Sequence, residues 1–204
     1  MQYKYLPFLL SAAVLIFVSG CTSTLKVKTS TPNLNITRQI TDAPANHTTV
    51  SFEPFKIVSK DPVPQNVIGE AKVGPFNTPA KIIDSEPADK RVADAVKSGF
   101  QHAGFNLVDS QDADFTVSGA VERFWVDEYA TGMSMEYSKA SVRFDLLIKN
   151  RQGAIVWANT LEQFKTSDKS FETTANDLPT LSLALKSAVE AIFKDPTFWK
   201  AVAK

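Results

Sequence analysis

Cys21 is the residue of this 204-residue chain with the most specific chemistry, because it is the only cysteine and follows two small residues. A deprotonated cysteine thiol is the strongest nucleophile among protein side chains. Ser19 and Gly20, directly before it, are small residues. Cys21 is therefore the first candidate for covalent chemistry in this chain.

An apolar segment precedes this cysteine and predicts export. Residues 6–18 are apolar apart from Pro7 and Ser11, and Lys4 is the only charged residue in front of them. Their length is below the ~20 residues that cross a bilayer as a helix, and is typical of the core of a signal peptide. No positively charged stop follows, which argues against an uncleaved membrane anchor. The alternative is an ordinary signal peptide with an incidental cysteine.

The residues Val18-Ser19-Gly20-Cys21 resemble the lipobox of bacterial lipoprotein precursors. The resemblance implies a signal peptide over residues 1–20 that is cut off before Cys21, because the protease site within the membrane accepts small residues such as Ser19 and Gly20. It also implies a diacylglycerol on the Cys21 thiol and an acyl group such as palmitate on the amine that the cleavage frees. Several acyl chains, at ~0.8 kcal/mol per buried methylene, make such an anchor effectively permanent. Thr22 stands where enteric lipoproteins of the inner membrane carry aspartate. The analogy therefore implies an outer-membrane anchor and a periplasm-facing domain, provided that the source is Gram-negative.

The remainder of the chain has the size of one domain and a charge that points to no partner class. Without residues 1–20, 184 of the 204 residues remain, with 21 basic and 22 acidic side chains, because Lys4 is the only charged residue removed. This balance leaves no basic excess for binding nucleic acid. It also leaves no polybasic block for a strongly anionic lipid surface.

Composition divides this remainder into a tether and one folded domain. Residues 21–48 are rich in Thr, Ser, Asn and Pro, and predict a tether after the lipidated cysteine with one short strand at residues 25–28. Periodic hydrophobic patterns begin at Thr49, so residues 49–204 are predicted to form the periplasmic domain.

The periodicity within the domain predicts two main helices and several hairpin strands. Apolar residues at helical spacing predict one helix that ends at Gly104 and one that begins at Pro179, and Asp195 is predicted to cap a short third helix. Strict alternation over residues 140–148 predicts a strand. A turn at residues 150–153 predicts a hairpin, in which the residues after the turn form the partner strand. The sequence therefore predicts an α+β two-layer sandwich, with two main helices on one face of a mainly antiparallel sheet and a short C-terminal helix.

Residue types that carry catalysis or bind metals are sparse. His47 and His102 are the only histidines, and neither has a cysteine or carboxylate at metal-ligand spacing. His102 is near a predicted helix C-terminus, where a surface histidine is expected. Asp127 and Glu128 predict the solvated end of a strand rather than an acid–base pair, since neighbouring strand residues point to opposite faces. The sequence thus predicts no enzyme activity, no metal site and no cofactor.

One segment of the predicted sheet is dense in aromatic residues and methionine. An exposed patch at a hairpin tip would bind a protein or lipid partner, whereas the favoured alternative is coverage by the helices and the N-terminal segment. The alternation of the strand also shifts here, which turns apolar groups to both faces. The candidate interaction patch consists of Phe124, Trp125, Tyr129, Met133, Met135 and Tyr137. Phe198 and Trp199, by contrast, predict a plug of the core.

The order of these features resembles that of YajG-type uncharacterised lipoproteins, and less closely that of auxiliary lipoproteins of ABC-type lipid transport systems. The resemblance spans residues 50–200 and includes the segments 92–96, 104–105, 112–115, 117–119 and 142–148. It implies architecture and location without catalytic residues. Two functions stay open: a non-catalytic binding or assembly module with an envelope protein or lipid partner, and a transport subunit. The second requires a hydrophobic groove between helix and sheet that accepts an acyl chain.

Overall fold

A computed structural model describes residues 23–29, 31–37, 48–58, 64–73, 78–110, 112–131, 135–167 and 178–202. The predicted signal peptide, Cys21 and His47 lie outside these ranges. The strands are β1 (Ser23–Val27), β2 (Thr49–Phe52), β3 (Lys56–Ile57), β4 (Val67–Val73), β5 (Thr78–Asp84), β6 (Asn106–Leu107), β7 (Phe115–Thr131), β8 (Met135–Asn150) and β9 (Ile155–Ser167). The helices are α1 (Ala88–His102), α2 (Pro179–Lys194) and α3 (Pro196–Val202).

The long strand β7 organises a mixed, mostly antiparallel sheet. β8 runs antiparallel along one edge of β7, and β9 runs antiparallel to β8. On the other edge, β2 and β3 lie parallel to the first half of β7, and β4 lies parallel to its second half. β5 and β1 continue the sheet beyond β4, and β6 continues it beyond β2. With α1 and α2 packed side by side on one face, this architecture confirms the predicted α+β sandwich.

A bulge in β7 accounts for the shift in its hydrophobic pattern. Val121 pairs with Phe144 and Arg123 pairs with Arg143, so Glu122 is an extra residue without a cross-strand partner of its own. One inserted residue moves all following side chains to the opposite face. The residues that face the helices are Val117 and Val121 before the bulge, and Phe124, Val126 and Glu128 after it.

The ends of the helices follow the predicted signals. Gly104 follows α1 with a φ of 92°, a left-handed conformation that glycine adopts without strain. Pro179 is the first residue of α2, where its missing N–H costs no hydrogen bond. Asp195 caps α3, because its carboxylate accepts a hydrogen bond from the backbone N–H of Thr197 at 2.8 Å.

Aromatic rings fill the core where α1, α2 and α3 meet β9. Neighbouring ring centroids lie 5.1 to 6.3 Å apart. Phe198 and Trp199 are 0% and 1% exposed, which confirms the predicted core plug. Gly99 allows α1 to approach α2, since a Cβ there would lie 2.7 Å from the ring of Phe193. We call this group the aromatic cluster; it consists of Phe100, Phe105, Trp157, Phe193, Phe198 and Trp199.

Part of the segment predicted as a tether is packed into the domain. β1 pairs with β5 over five residues, Leu34 is buried in the core, and the backbone N–H of Asn35 donates to a Glu190 carboxylate oxygen on α2 at 2.9 Å. The described residues 23–29 and 31–37 therefore belong to the folded domain. Composition suggested a linker because the few apolar residues are spaced among many Thr, Ser and Asn residues.

A buried ion pair ties the end of β1 to α1. The Asp84 carboxylate, at the end of β5, accepts hydrogen bonds from the Thr29 hydroxyl and from two nitrogens of Arg91, at 3.0 and 3.2 Å. Burial acts to raise the pKa of Asp84, but hydrogen bonds from Arg91, Thr29 and the Glu86 backbone outweigh it and lower the pKa. Asp84 is therefore held ionised, and it joins the first strand to the first helix.

Candidate functional site

The register of the sheet brings the start of β1 to the same end of the molecule as the β7–β8 hairpin. One row of paired residues crosses six strands and consists of Ser23, Ala80, Ala71, Glu128, Ser138 and Ser167. The next row toward the hairpin tip consists of Lys72, Pro79, Tyr129 and Tyr137. We call these two rows the hairpin end. Cys21 precedes Ser23 by two residues, so its Cα is within ~7 Å of that of Ser23 even if the chain is fully extended.

Two tyrosines and two lysines form a stack at this end. The rings of Tyr129 and Tyr137 are 4.3 Å apart between centroids and 17° from parallel. The Nζ of Lys72 is 5.3 Å from the centroid of Tyr129, and the Nζ of Lys139 is 5.2 Å from that of Tyr137. Both lysines are exposed and both tyrosines are half-buried. These distances are those of cation–π contacts on either side of an aromatic pair.

The pKa of the Tyr129 phenol is raised above the ordinary value of a tyrosine. Burial raises the pKa of Tyr129, and the nearby Asp127 carboxylate raises it further. A neutral phenol both donates and accepts hydrogen bonds, so the stack presents a polar rim around two apolar rings.

The face of the sheet opposite the helices, which we call the open face, carries two further aromatic residues. Trp125 and Phe164 flank Ser141 in one cross-strand row, and the Trp125 indole N–H donates to Asp127 at 2.9 Å. Phe164 is 65% exposed and was missed in the sequence. The signal was present, because an inward Leu161 on β9 requires that the residue three positions later points outward.

The predicted interaction patch is divided by the structure. Phe124 is 6% exposed and packs in the core opposite Val142, so it does not belong to a surface patch. The bulge before it is the physical reason, since it turns Phe124 inward. Trp125, Tyr129 and Tyr137 are half-buried on the open face. Met133 lies outside the described residues, and the described part of Met135 is its backbone in β8.

Asp127 and Glu128 point to opposite faces of β7, as predicted, but only Asp127 faces outward. Glu128 is buried and accepts a hydrogen bond from the Ser138 hydroxyl at 2.8 Å, which corrects the expectation of a solvated pair. The bulge again turns an expected surface position inward. The two carboxylates thus make separate contacts on separate sides of the sheet.

A groove of about 900 Å³ opens beside β7 in the gap between its β3 and β4 pairings. Its wall includes Arg143, which pairs with Glu122 at 2.8 Å and with Glu162 at 3.5 Å. Arg123 donates to the Ser141 hydroxyl next to them. The wall also contains apolar residues such as Ile57 and Val58, so the groove is mixed in character and is not a purely apolar channel.

The remaining chemistry-bearing residues form no site in the described ranges. His102 is exposed, as predicted, with its Nδ1 2.7 Å from the Ser98 carbonyl oxygen. Among the described residues, no group of three or more His, Cys, Asp or Glu side chains is placed to hold a metal ion. None of the helices in these ranges is long and apolar enough to cross a membrane.

Comparison with known proteins gives one family match. A family model described as an uncharacterised lipoprotein matches residues 39–202. It does not separate a YajG-type subgroup, so that narrower assignment stays a prediction. No curated protein matches the chain.

Three solved structures are similar to this chain at low identity, and the first of them supports the fold. A Xanthomonas campestris protein is 15% identical with a TM-score of 0.50, covering 84% of this chain and 94% of its own. A putative lipoprotein from Caulobacter crescentus is 14% identical with a TM-score of 0.42, covering 69% and 93%. A minor lipoprotein from Acinetobacter baumannii is 11% identical with a TM-score of 0.37, covering 76% and 93%.

Proposed function

Because the chain belongs to a family of uncharacterised lipoproteins, we propose that it is a non-catalytic binding or assembly module held on a membrane of the cell envelope. Acyl chains on Cys21 form the anchor, and cleavage before this residue removes the signal peptide. Thr22 in place of aspartate favours the outer membrane, with the domain facing the periplasm.

The observation that carries this proposal is the position of β1. This strand begins at Ser23, with Thr22 alone between it and the predicted lipidation site. It pairs with β5 over five residues and is fixed at its far end by the contact between Thr29 and Asp84. An anchor on Cys21 would therefore act directly on the sheet, which suits a module that works at the membrane surface.

The alternative, an auxiliary subunit of lipid transport, receives less support. It requires an apolar groove between helix and sheet for an acyl chain, whereas the groove beside β7 mixes apolar residues with the ion pairs of Arg143. Similarity of fold to other lipoproteins does not carry a transport role.

The anchor is tested by the intact mass of protein extracted from membranes, beside the variants Cys21→Ser and Thr22→Ser. We expect the wild type to begin at Cys21 and to carry the mass of three acyl groups. Cys21→Ser removes the thiol and should be soluble or unprocessed, whereas Thr22→Ser keeps both the thiol and the absence of aspartate and should match the wild type. A soluble wild-type protein with an unmodified Cys21 would contradict the proposal.

A further inference from the structure

We propose that the hairpin end lies in the headgroup layer of the phospholipid membrane that holds the anchor, so that the domain stands on this membrane through its stacked tyrosines and lysines. The inference rests on the proposed acylation of Cys21 and goes beyond it, because it specifies which surface of the domain contacts lipid.

The first argument is the reach of the chain. Cys21 is two residues before Ser23, so an extended chain places it at most ~7 Å away. Ser23 lies in the row of Glu128 and Ser138, one residue along the strands from the row of Tyr129 and Tyr137. Acyl chains attached to Cys21 therefore enter the bilayer beside this end of the sheet.

The second argument is the chemistry of the exposed side chains there. Tyrosine is enriched at membrane–water interfaces, because its ring sits among apolar groups while its hydroxyl stays hydrated. Lysine places its apolar stem along such rings and its ammonium group at the phosphates. Lys72, Tyr129, Tyr137 and Lys139 present this combination as one continuous stack.

The third argument is how the surface changes with distance from the hairpin tip. Two residues further along the strands, or ~7 Å, the open face carries Glu70, Lys81 and Asp127 beside Lys139. This row carries two basic and two acidic side chains, which suits the boundary between the headgroups and water. At the other end of β9, the aromatic cluster is buried and offers no comparable exposed rings among the described residues.

The single cysteine makes this orientation measurable, since acylation would consume the only native thiol. An introduced cysteine can then be labelled alone with an environment-sensitive fluorophore. Thr166, which is exposed beside Lys139 at the proposed boundary between headgroups and water, reports on the surface next to the hairpin end. Gln152, which is exposed in the β8–β9 turn, reports on the opposite end of the domain. The variants Thr166→Cys and Gln152→Cys are prepared in full-length form, and acylation is verified by mass before they enter phosphatidylethanolamine–phosphatidylglycerol vesicles.

We expect the label at position 166 to shift to the blue and to be quenched by lipids with a spin label near the headgroup, while the label at position 152 does neither. Adding Lys72→Glu with Tyr137→Thr to the Thr166→Cys variant should reduce this quenching, and Lys56→Glu, an exposed lysine on the distant β3, should leave it unchanged. Equal signals at positions 166 and 152 in acylated protein would overturn this inference and leave the anchor intact. Absence of acylation would overturn the proposed function itself.

Discussion

Aromatic residues concentrate in two regions of this domain, and the difference lies in what covers them. In the aromatic cluster, α3 closes over the ends of α1 and α2, so that Phe198 and Trp199 are almost fully buried. At the hairpin end, Tyr129 and Tyr137 stack on the open face of the sheet with exposed lysines beside them. Aromatic density alone therefore does not distinguish a core from an interaction surface.

The polar contacts of these aromatic residues also distinguish the covered region from the open one. In the aromatic cluster, the Trp199 indole N–H donates to the Phe193 carbonyl oxygen at 2.8 Å, and the Trp157 indole lies within 3.2 Å of Asp195 and Thr197. Buried indoles require such internal partners. At the hairpin end, the lysine ammonium groups contact the ring faces, and the pKa of the Tyr129 phenol is raised.

The largest expected effect separates a covered phenylalanine from an exposed one. We expect Phe198→Ala to lower the free energy of unfolding by about 3–5 kcal/mol, because it removes a fully buried ring and leaves a cavity. Phe164→Ala, the same substitution at a residue that is 65% exposed, should change it by less than about 0.5 kcal/mol. Urea unfolding measures both, and similar losses in the two variants would remove the distinction between the regions.

The next effect concerns the link between the anchored strand and the core. We expect Asp84→Asn to lower the free energy of unfolding by about 1.5–3 kcal/mol, because Arg91 would lose one ionised partner and keep only the partly exposed Glu86. Asp145→Asn is the matched control, since this carboxylate accepts its hydrogen bond from Thr160 at the surface. The two variants should differ clearly in urea midpoint.

The same pair predicts a pH dependence. Because the pKa of Asp84 is lowered in the folded state, its stabilisation is present above the ordinary pKa of an aspartate and is lost as the pH falls through the folded-state value. The wild type should therefore lose stability below about pH 4 more steeply than Asp84→Asn does. Parallel pH profiles of the two proteins would show that this carboxylate is not held ionised.

Local patterns predicted those parts of the fold that local physics determines. Alternation over residues 140–148 marks β8, and Gly104, Pro179 and Asp195 mark helix ends, because each depends on neighbours a few residues away. The burial of Phe124 and Glu128 depends on the bulge at Glu122, whose extra residue is defined only by pairing with β8. The shift in alternation is visible in the sequence, but the position of the bulge and the face that each later residue takes cannot be read from this strand alone.

The candidate site, like the fold, could be predicted from the sequence only where it depends on neighbouring residues. Cys21 was predicted from adjacent residues, because the modification chemistry requires a local motif. The sequence marked the segment with Tyr129 and Tyr137 as a candidate patch for a protein or lipid partner. Its position at the same end of the sheet as the start of β1 was not predicted, since it requires β1 to pair with β5 and β4 to pair with β7 in parallel. Parallel pairs join strands that are distant in sequence, and a single sequence does not encode their register in a short pattern.

The smallest effect tests whether the tyrosine stack contributes to the fold or is free to serve the surface. In a double-mutant cycle, Tyr129→Ala and Tyr137→Ala should show a coupling energy of about 0.5–1.5 kcal/mol, as expected for a stacked pair. Each single variant should remain far more stable than Phe198→Ala, because the rings are open to solvent on one side. Losses as large as that of Phe198→Ala would make the stack a second core and remove the basis for a membrane contact. A small coupling with intact folding would instead leave the exposed rings and lysines available to lipid.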